Sequence, residues 1–266
     1  MGDDRPIGIF DSGLGGLTVV NAMAKALPME SFIYVGDTAR VPYGNKDIDT
    51  IRAYGRQIIG FLQKKGVKAI IAACGTVSSN VMEDLWKEFD LPIIDVVRPG
   101  IDACLSLCKE QNKKRVGVIA TEATIKSGFF QNSLIEKNPH LIVAAKACPL
   151  FVPLIEEGLS NNTAAAKIVE DCLKDWQENP IDILILGCTH YPLLTPILKQ
   201  VLKDTIQIDI AVATLEAAAK CLTENSILNK TSKTFYEFYV SGDTTRFNNM
   251  GQQITNTFIK AQKVIW

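Results

Sequence analysis

The chain contains no run of about 18 uncharged apolar residues, the length a helix needs to cross a bilayer, so no membrane span is expected. It has no CxxC pair, an odd number of cysteines (7) and only 2 histidines. That composition argues against a disulfide framework and lacks the paired-ligand spacing of a zinc site. Excess charge of either sign is also missing. Lys and Arg number 28 against 29 Asp and Glu, and no basic stripe or acidic tail stands out, so bulk electrostatics favour neither nucleic acid nor an anionic membrane as partner. The opening MGDDRPIGIF is acidic before its first apolar stretch, the reverse of a secretory signal, and position 6 is proline where a myristoylation motif needs Ser or Thr. Free thiols in a reducing, cytoplasmic setting are the expectation.

What the chain does have is 266 residues, 47% of them hydrophobic, enough for two cores at roughly 150 residues per domain. Short apolar runs at 6–10, 31–36, 69–73, 92–97, 115–120, 141–147, 182–187 and 234–240 read as strands. Helical periods lie between them, for example at 17–27, 47–66, 78–89 and 163–177. Alternation of this kind implies α/β architecture, and runs that are apolar throughout imply parallel strands covered on both faces. A weak repeat adds to this. PIGIFDSG resembles RVGVIATEA at an offset of 109 residues (Gly8 to Gly117), and AIIAACGT resembles DILILGCT at 114 (Cys74 to Cys188). The expected fold is two similar lobes, each a largely parallel sheet flanked by helices. Turn-forming Arg98-Pro99-Gly100 marks one boundary and 208–214 a second. The first lobe then comprises 1–98 plus 210–266, and the second 99–209.

In parallel sheets ligands gather at the carboxyl edge of the strands. Cys74 and Cys188 both stand there, each just before a helix whose free N–H groups favour a thiolate and bind carboxylates. Thr76, Ser78, Ser79 and Thr189 add hydroxyls. A lone cysteine in such a place is usually a packing residue; two at equivalent places, each followed closely by threonine, point to chemistry. FDSGLGG (10–16) partly resembles a dinucleotide fingerprint, with Asp37 where a ribose-binding acid would stand, but Thr18 replaces the third glycine and Asp11 would face the pyrophosphate. It also reads as an Asx turn capping a helix. GDTARVPYG (36–44) is a polar loop or a solvated turn, and His190 is either a neighbour of Cys188 or a core histidine satisfied by a carbonyl. A zinc site of Cys74, Cys188 and His190, and a Cys–His hydrolase dyad, are the remaining alternatives; the dyad leaves one cysteine unexplained.

FDSGLGG, GDTARVPYG, AACGTVSSN, CPLFVPLIE, GCTHYP and SGDTTRF, in this order from residue 10 to 247, resemble the cofactor-independent glutamate racemases, which supply D-glutamate for bacterial cell walls. The resemblance implies two α/β lobes related by a pseudo-twofold, with the active site between them. It implies that Cys74 and Cys188 are the two acid/base thiols, the first acting on D-glutamate and the second on L-glutamate. Asp11 and His190 then assist their neighbouring cysteines, and Glu156 and Asp37 match further acidic residues of the site. Asp11, Ser12, Tyr43, Gly44, Gly75, Thr76, Thr189 and His190 match substrate contacts. No cofactor or metal is called for, and a homodimer is expected.

Two departures stand out. The family's Cys-Asn-Thr is Cys74-Gly75-Thr76 here, and AVATLEAA at 211–218 replaces an Asp-Ser-Gly-like stretch. Loss of the Asn carboxamide removes hydrogen bonds to substrate. A preference for a related acid such as aspartate, or a low-activity or purely ligand-binding variant, is therefore the alternative expectation. Two thiols suit racemisation because the proton leaves one face of Cα and returns to the other. Each sulfur belongs roughly 3–3.5 Å from that carbon.

Overall fold

The structure, a computed structural model, describes residues 2–230, 233–255 and 259–266. Strands are β1 Ile7–Asp11, β2 Phe32–Gly36, β3 Ala69–Ala72, β4 Ile93–Asp95, β5 Arg115–Ala120, β6 Ile142–Ala147, β7 Ile183–Leu186, β8 Ile206–Asp209, β9 Tyr236–Val240 and β10 Ala261–Lys263. Helices are α1 Gly16–Ala26, α2 Ile48–Lys64, α3 Gly75–Asn80, α4 Met82–Glu88, α5 Val97–Gln111, α6 Glu122–Lys126, α7 Phe129–Lys137, α8 Phe151–Glu156, α9 Thr163–Glu178, α10 Thr195–Val201, α11 Ile210–Glu224 and α12 Thr244–Thr255.

The strands form two sheets, ordered β10-β9-β2-β1-β3-β4 and β6-β5-β7-β8, and every pairing is parallel. The run β2-β1-β3-β4 has the order of β6-β5-β7-β8. Register carries the likeness further: Gly8 pairs with Ile70 in one sheet and Gly117 with Leu184 in the other. Those partners lie 117 − 8 = 109 and 184 − 70 = 114 residues apart, the two offsets of the sequence repeat.

Side chains alternate between two buried surfaces. Ile7 and Ile9 of β1, and Ile183 and Ile185 of β7, enter one continuous core shared by both sheets, with Ile101 and Cys104 of α5 and Ala218 of α11 between them. Phe10 and Ile70 face α2 on the far side of the first sheet, and Leu184 and Leu186 face α9 and α10 on the far side of the second. Both faces of the central strands are dry, which is why they read as unbroken apolar runs.

The structure departs from the sequence reading in three places. Arg98-Pro99-Gly100 is not a turn but the start of a helix, the first turn of α5, which leads from β4 of one sheet to β5 of the other. Proline is tolerated there because its missing N–H has no intrahelical partner to lose. Asp95 Oδ1 caps the same turn, accepting from the Val97 and Arg98 N–H groups at 2.8 and 2.9 Å. The helix expected over 78–89 starts earlier, at Gly75, and breaks at Val81 (φ −135°). There Ser79 and Asn80 bond back to the Gly75 and Thr76 carbonyls. Finally, β8 and β10 were not expected. They are short edge strands, IQID and AQK, with little of the apolar signal that marks a central strand. AVATLEAA falls within α11, whose N-terminus Asp209 caps by accepting from the Ala211 N–H.

Candidate active site

The carboxyl ends of β1 and β3 in one sheet, and of β5 and β7 in the other, converge on a narrow cleft. Cys74 follows β3 and Cys188 follows β7, and both line it. The two thiols that the repeat pairs in sequence therefore line one cleft, each supplied by the equivalent strand of its own sheet. Asp11, Ser12, Tyr43 and Gly44 line the first lobe's side with Gly75 and Thr76, while Thr189 and His190 line the second. Ser78 and Ser79 turn away, bonding to the Ala72 and Gly75 carbonyls.

Cys74 is almost fully buried, and burial, reinforced by the Asp11 carboxylate, pushes its thiol up to about 12. The Val77 N–H and the Ser12 hydroxyl, 3.7 Å from the sulfur, only partly offset this. Cys74 thus holds its proton at neutral pH. Asp11 itself is engaged by the glycine loop, where its Oδ2 accepts from the N–H groups of Gly13 and Gly16 at 3.0 and 3.1 Å. DSG thus forms the expected Asx turn, and Asp11 also lines the cavity.

Around Cys188 the charge pattern differs. His190 Nδ1 lies 3.7 Å from the Cys188 sulfur, and Nε2 lies 2.7 Å from Glu156 Oε1. Burial opposes a charge on His190, but the contacts with Cys188 and Glu156 outweigh it and hold the imidazole well above its ordinary 6.5. Burial likewise opposes the Glu156 charge, yet the His190 bond and the Leu14 N–H hold that carboxyl below its ordinary 4.5. The Gly15 N–H also approaches Nε2, at 3.2 Å. A single ring nitrogen does not donate to the carboxylate and accept from an amide at once, and the shorter, charge-assisted contact with Glu156 takes the proton. His190 is the cation and Glu156 its anion. A side chain on Gly15 would collide with the imidazole, since a Cβ there would lie 2.2 Å from Nδ1. The FDSGLGG loop thus packs its backbone against His190.

Glu156 and Asp37 do not line the cavity. Glu156 stands behind His190 and joins the lobes through Leu14. Asp37 is wholly buried behind Tyr43, accepting from the Tyr43 hydroxyl, Arg40 Nε (2.6 Å), Ser241 Oγ (2.6 Å) and Trp266 Nε1 (2.9 Å). It anchors the ring that walls the site. Thr189 Oγ1 is buried without a protein partner, an unspent hydroxyl beside Cys188.

Thr121 was missed by sequence reasoning. It lines the cavity from β5 and bonds Thr76 Oγ1 across the lobes at 2.9 Å. The signal was present, because 12 + 109 = 121 makes it the repeat partner of Ser12. Gly75 is more than a missing carboxamide. A Cβ at this position would stand 2.5 Å from the Gly187 carbonyl oxygen, so the second lobe's backbone already occupies the space. Among the described residues, no three His, Cys, Asp or Glu side chains are grouped as metal ligands.

Replacing Glu156 with Gln is expected to lower kcat/KM about tenfold at neutral pH, less than the roughly 10²–10⁴-fold of a lost general acid or base, because Glu156 acts through His190. The sign of the pH dependence follows from the two shifts. Stability from the raised His190 is complete below pH 6.5 and is lost as pH rises through its elevated value; that from the lowered Glu156 is present above 4.5 and is lost as pH falls through its depressed value. Glu156→Gln should therefore move the alkaline limb of a pH–rate profile to lower pH, and an unmoved limb would remove Glu156 from this role.

Comparison with known proteins gives a consistent picture. Residues 7–219 match the Asp/Glu/Hydantoin racemase family. Glutamate racemase 2 of Caldanaerobacter subterraneus subsp. tengcongensis is 41% identical over 263 residues, 97% of each chain. The crystal structure of glutamate racemase from Francisella tularensis in complex with D-glutamate superposes with a TM-score of 0.90 at 38% identity, covering 99% of this chain and 98% of that one. The Bacillus anthracis glutamate racemase isoform RacE1 gives a TM-score of 0.92 at 31% identity, covering 98% and 97%.

Proposed function

The chain belongs to the Asp/Glu/Hydantoin racemase family, and from that premise we propose that it is a glutamate racemase, an isomerase interconverting L- and D-glutamate with two cysteines as acid and base. The observation that carries the reading is that Cys74 and Cys188, at equivalent strand ends of two like-ordered sheets, line one cavity.

The substrate Cα sits between the sulfurs. In the L-to-D direction, Cys188 acts as the thiolate beside the His190 cation and removes the α-proton. Cys74, which retains its proton, delivers it to the opposite face. After turnover the protonation states are exchanged, which readies the site for D-glutamate. Negative charge develops on the α-carboxylate as the proton leaves. The Thr189 hydroxyl, which has no protein partner, and the backbone N–H groups that follow each cysteine are the donors available to that charge. The residues that line the cleft are largely buried, a setting that strengthens each of these interactions. Asp37 and Glu156 are positioning residues, the first through Tyr43 and the second through His190.

The same reading makes D-glutamate for peptidoglycan the product, and a cytoplasmic homodimer the working form. A preference for aspartate is not favoured, because Gly75 leaves no extra room: the Gly187 carbonyl fills it. Incubation with L-glutamate in D₂O should give D-glutamate deuterated at Cα. Inversion without solvent deuterium, or no exchange at all, would refute the mechanism.

A further inference from the structure

Two cysteines outside the site lie unusually close. Cys148, directly after β6, and Cys172, in the middle of α9, place their sulfurs 3.2 Å apart. Both are free thiols; Cys148 is buried and Cys172 is half-exposed. A disulfide needs sulfurs about 2.05 Å apart, so only a small side-chain adjustment separates this pair from a bond. The other near pair differs. Cys104 and Cys108 stand 3.9 Å apart on successive turns of α5, both buried in the shared core away from any oxidant.

From this geometry we infer that Cys148 and Cys172 form a reversible intramolecular disulfide on exposure to hydroperoxide, a modification site separate from the catalytic thiols. Cys172 is the half that reacts first. It is the accessible one, and Lys146 lies beside it with Nζ 2.9 Å from the Cys172 carbonyl. The S–H of Cys148, with help from that lysine, lowers the Cys172 thiol below its ordinary 9.0 against the opposing effect of burial. In the first step the Cys172 sulfur attacks one peroxide oxygen. The O–O bond breaks, a sulfenic acid forms, and the second oxygen leaves as water with the thiol proton. In the second, the Cys148 sulfur attacks the Cys172 sulfur. The S–S bond forms, the S–O bond breaks, and the hydroxyl leaves as water with the Cys148 proton. Two thiols are oxidised, one peroxide is reduced to two waters, and a small dithiol reverses the change.

The pair is joined to the site by a short path. The Cys148 carbonyl accepts the Tyr191 hydroxyl at 3.0 Å, and the Tyr191 N–H donates to the Cys188 carbonyl, also at 3.0 Å. Drawing Cys148 toward α9 pulls on the residue that braces the Cys188 loop.

The test is peptide mapping after treatment of the intact chain with equimolar hydrogen peroxide, followed by alkylation. Trypsin isolates Cys148 on residues 147–167 and Cys172 on 168–174, one cysteine each. The expected product is these two peptides cross-linked, lost on dithiothreitol treatment and absent from Cys172→Ser, while Cys221→Ser still forms it. This readout does not depend on the racemase assignment. If both cysteines remain alkylatable while others oxidise, or if Cys172 proceeds to sulfinic acid without a cross-link, the inference fails. On the racemase reading, the cross-link should also reduce kcat several-fold in the wild type, reversibly, and leave no dithiol-reversible loss in Cys172→Ser.

Discussion

Replacement of either Cys74 or Cys188 with alanine is expected to lower kcat for racemisation by about 10²–10⁴-fold in both directions, the span typical of a lost general acid or base. Each direction needs one sulfur to remove the proton and the other to return it, so neither variant should keep a fast direction. The lesions differ in what survives. Cys74→Ala keeps Cys188 with its His190–Glu156 pair and should still exchange the α-proton of L-glutamate slowly in D₂O without inversion. Cys188→Ala should do the same for D-glutamate. Circular dichroism follows inversion, and proton NMR follows exchange. Either variant retaining a tenth of the wild-type kcat would end the two-thiol account. Ligand-induced stabilisation should survive in both, since the binding groups remain.

The second large effect is expected from Gly75→Asn, which restores the residue usual in the family and should nonetheless lower kcat by about 10–100-fold. A Cβ at 75 meets the Gly187 carbonyl oxygen at 2.5 Å. That oxygen belongs to the backbone, so no side-chain rotation relieves the contact, and the facing loops must part by about 1 Å. Cys74 adjoins residue 75 and Cys188 adjoins residue 187, so the wedge acts on the gap between the sulfurs. A displacement of about 1 Å in a reacting group can cost on the order of 10²-fold. Gly75→Ala carries the same Cβ without the carboxamide and should lose a comparable amount, chiefly in kcat rather than KM. An Asn variant as fast as wild type or faster would show that the loops yield freely and that Gly75 sets no distance.

The limits of sequence reading fall where one lobe meets the other. The central strands were legible because both their faces are dry, and burial on both sides writes an unbroken apolar run. Strands β8 and β10 were not, because IQID and AQK are short and mix polar residues into the run, leaving little apolar signal to read. The first turn of α5 was mistaken for a loop, since Pro99 and Gly100 signal a turn locally while the Asp95 cap that completes the helix start is a side-chain contact with no simple pattern. At the site, ten of the expected residues line the cavity, most of them at or just beyond a strand end where chain topology puts ligands, with Tyr43 and Gly44 brought in by the loop after β2. Thr121 was readable from the repeat and was overlooked.

By itself, then, the chain of residues determined its two parallel sheets, its repeat and the two cysteines at matching strand ends, because strand burial and strand-to-helix turns leave local marks. Tertiary structure alone decided that those strand ends face each other. It also decided that His190 takes its charge from Glu156, 34 positions away, and that the place of a missing Asn side chain is filled by the Gly187 carbonyl. Each of these is a meeting of segments distant along the chain, and distances of that kind exist only once the two lobes have packed.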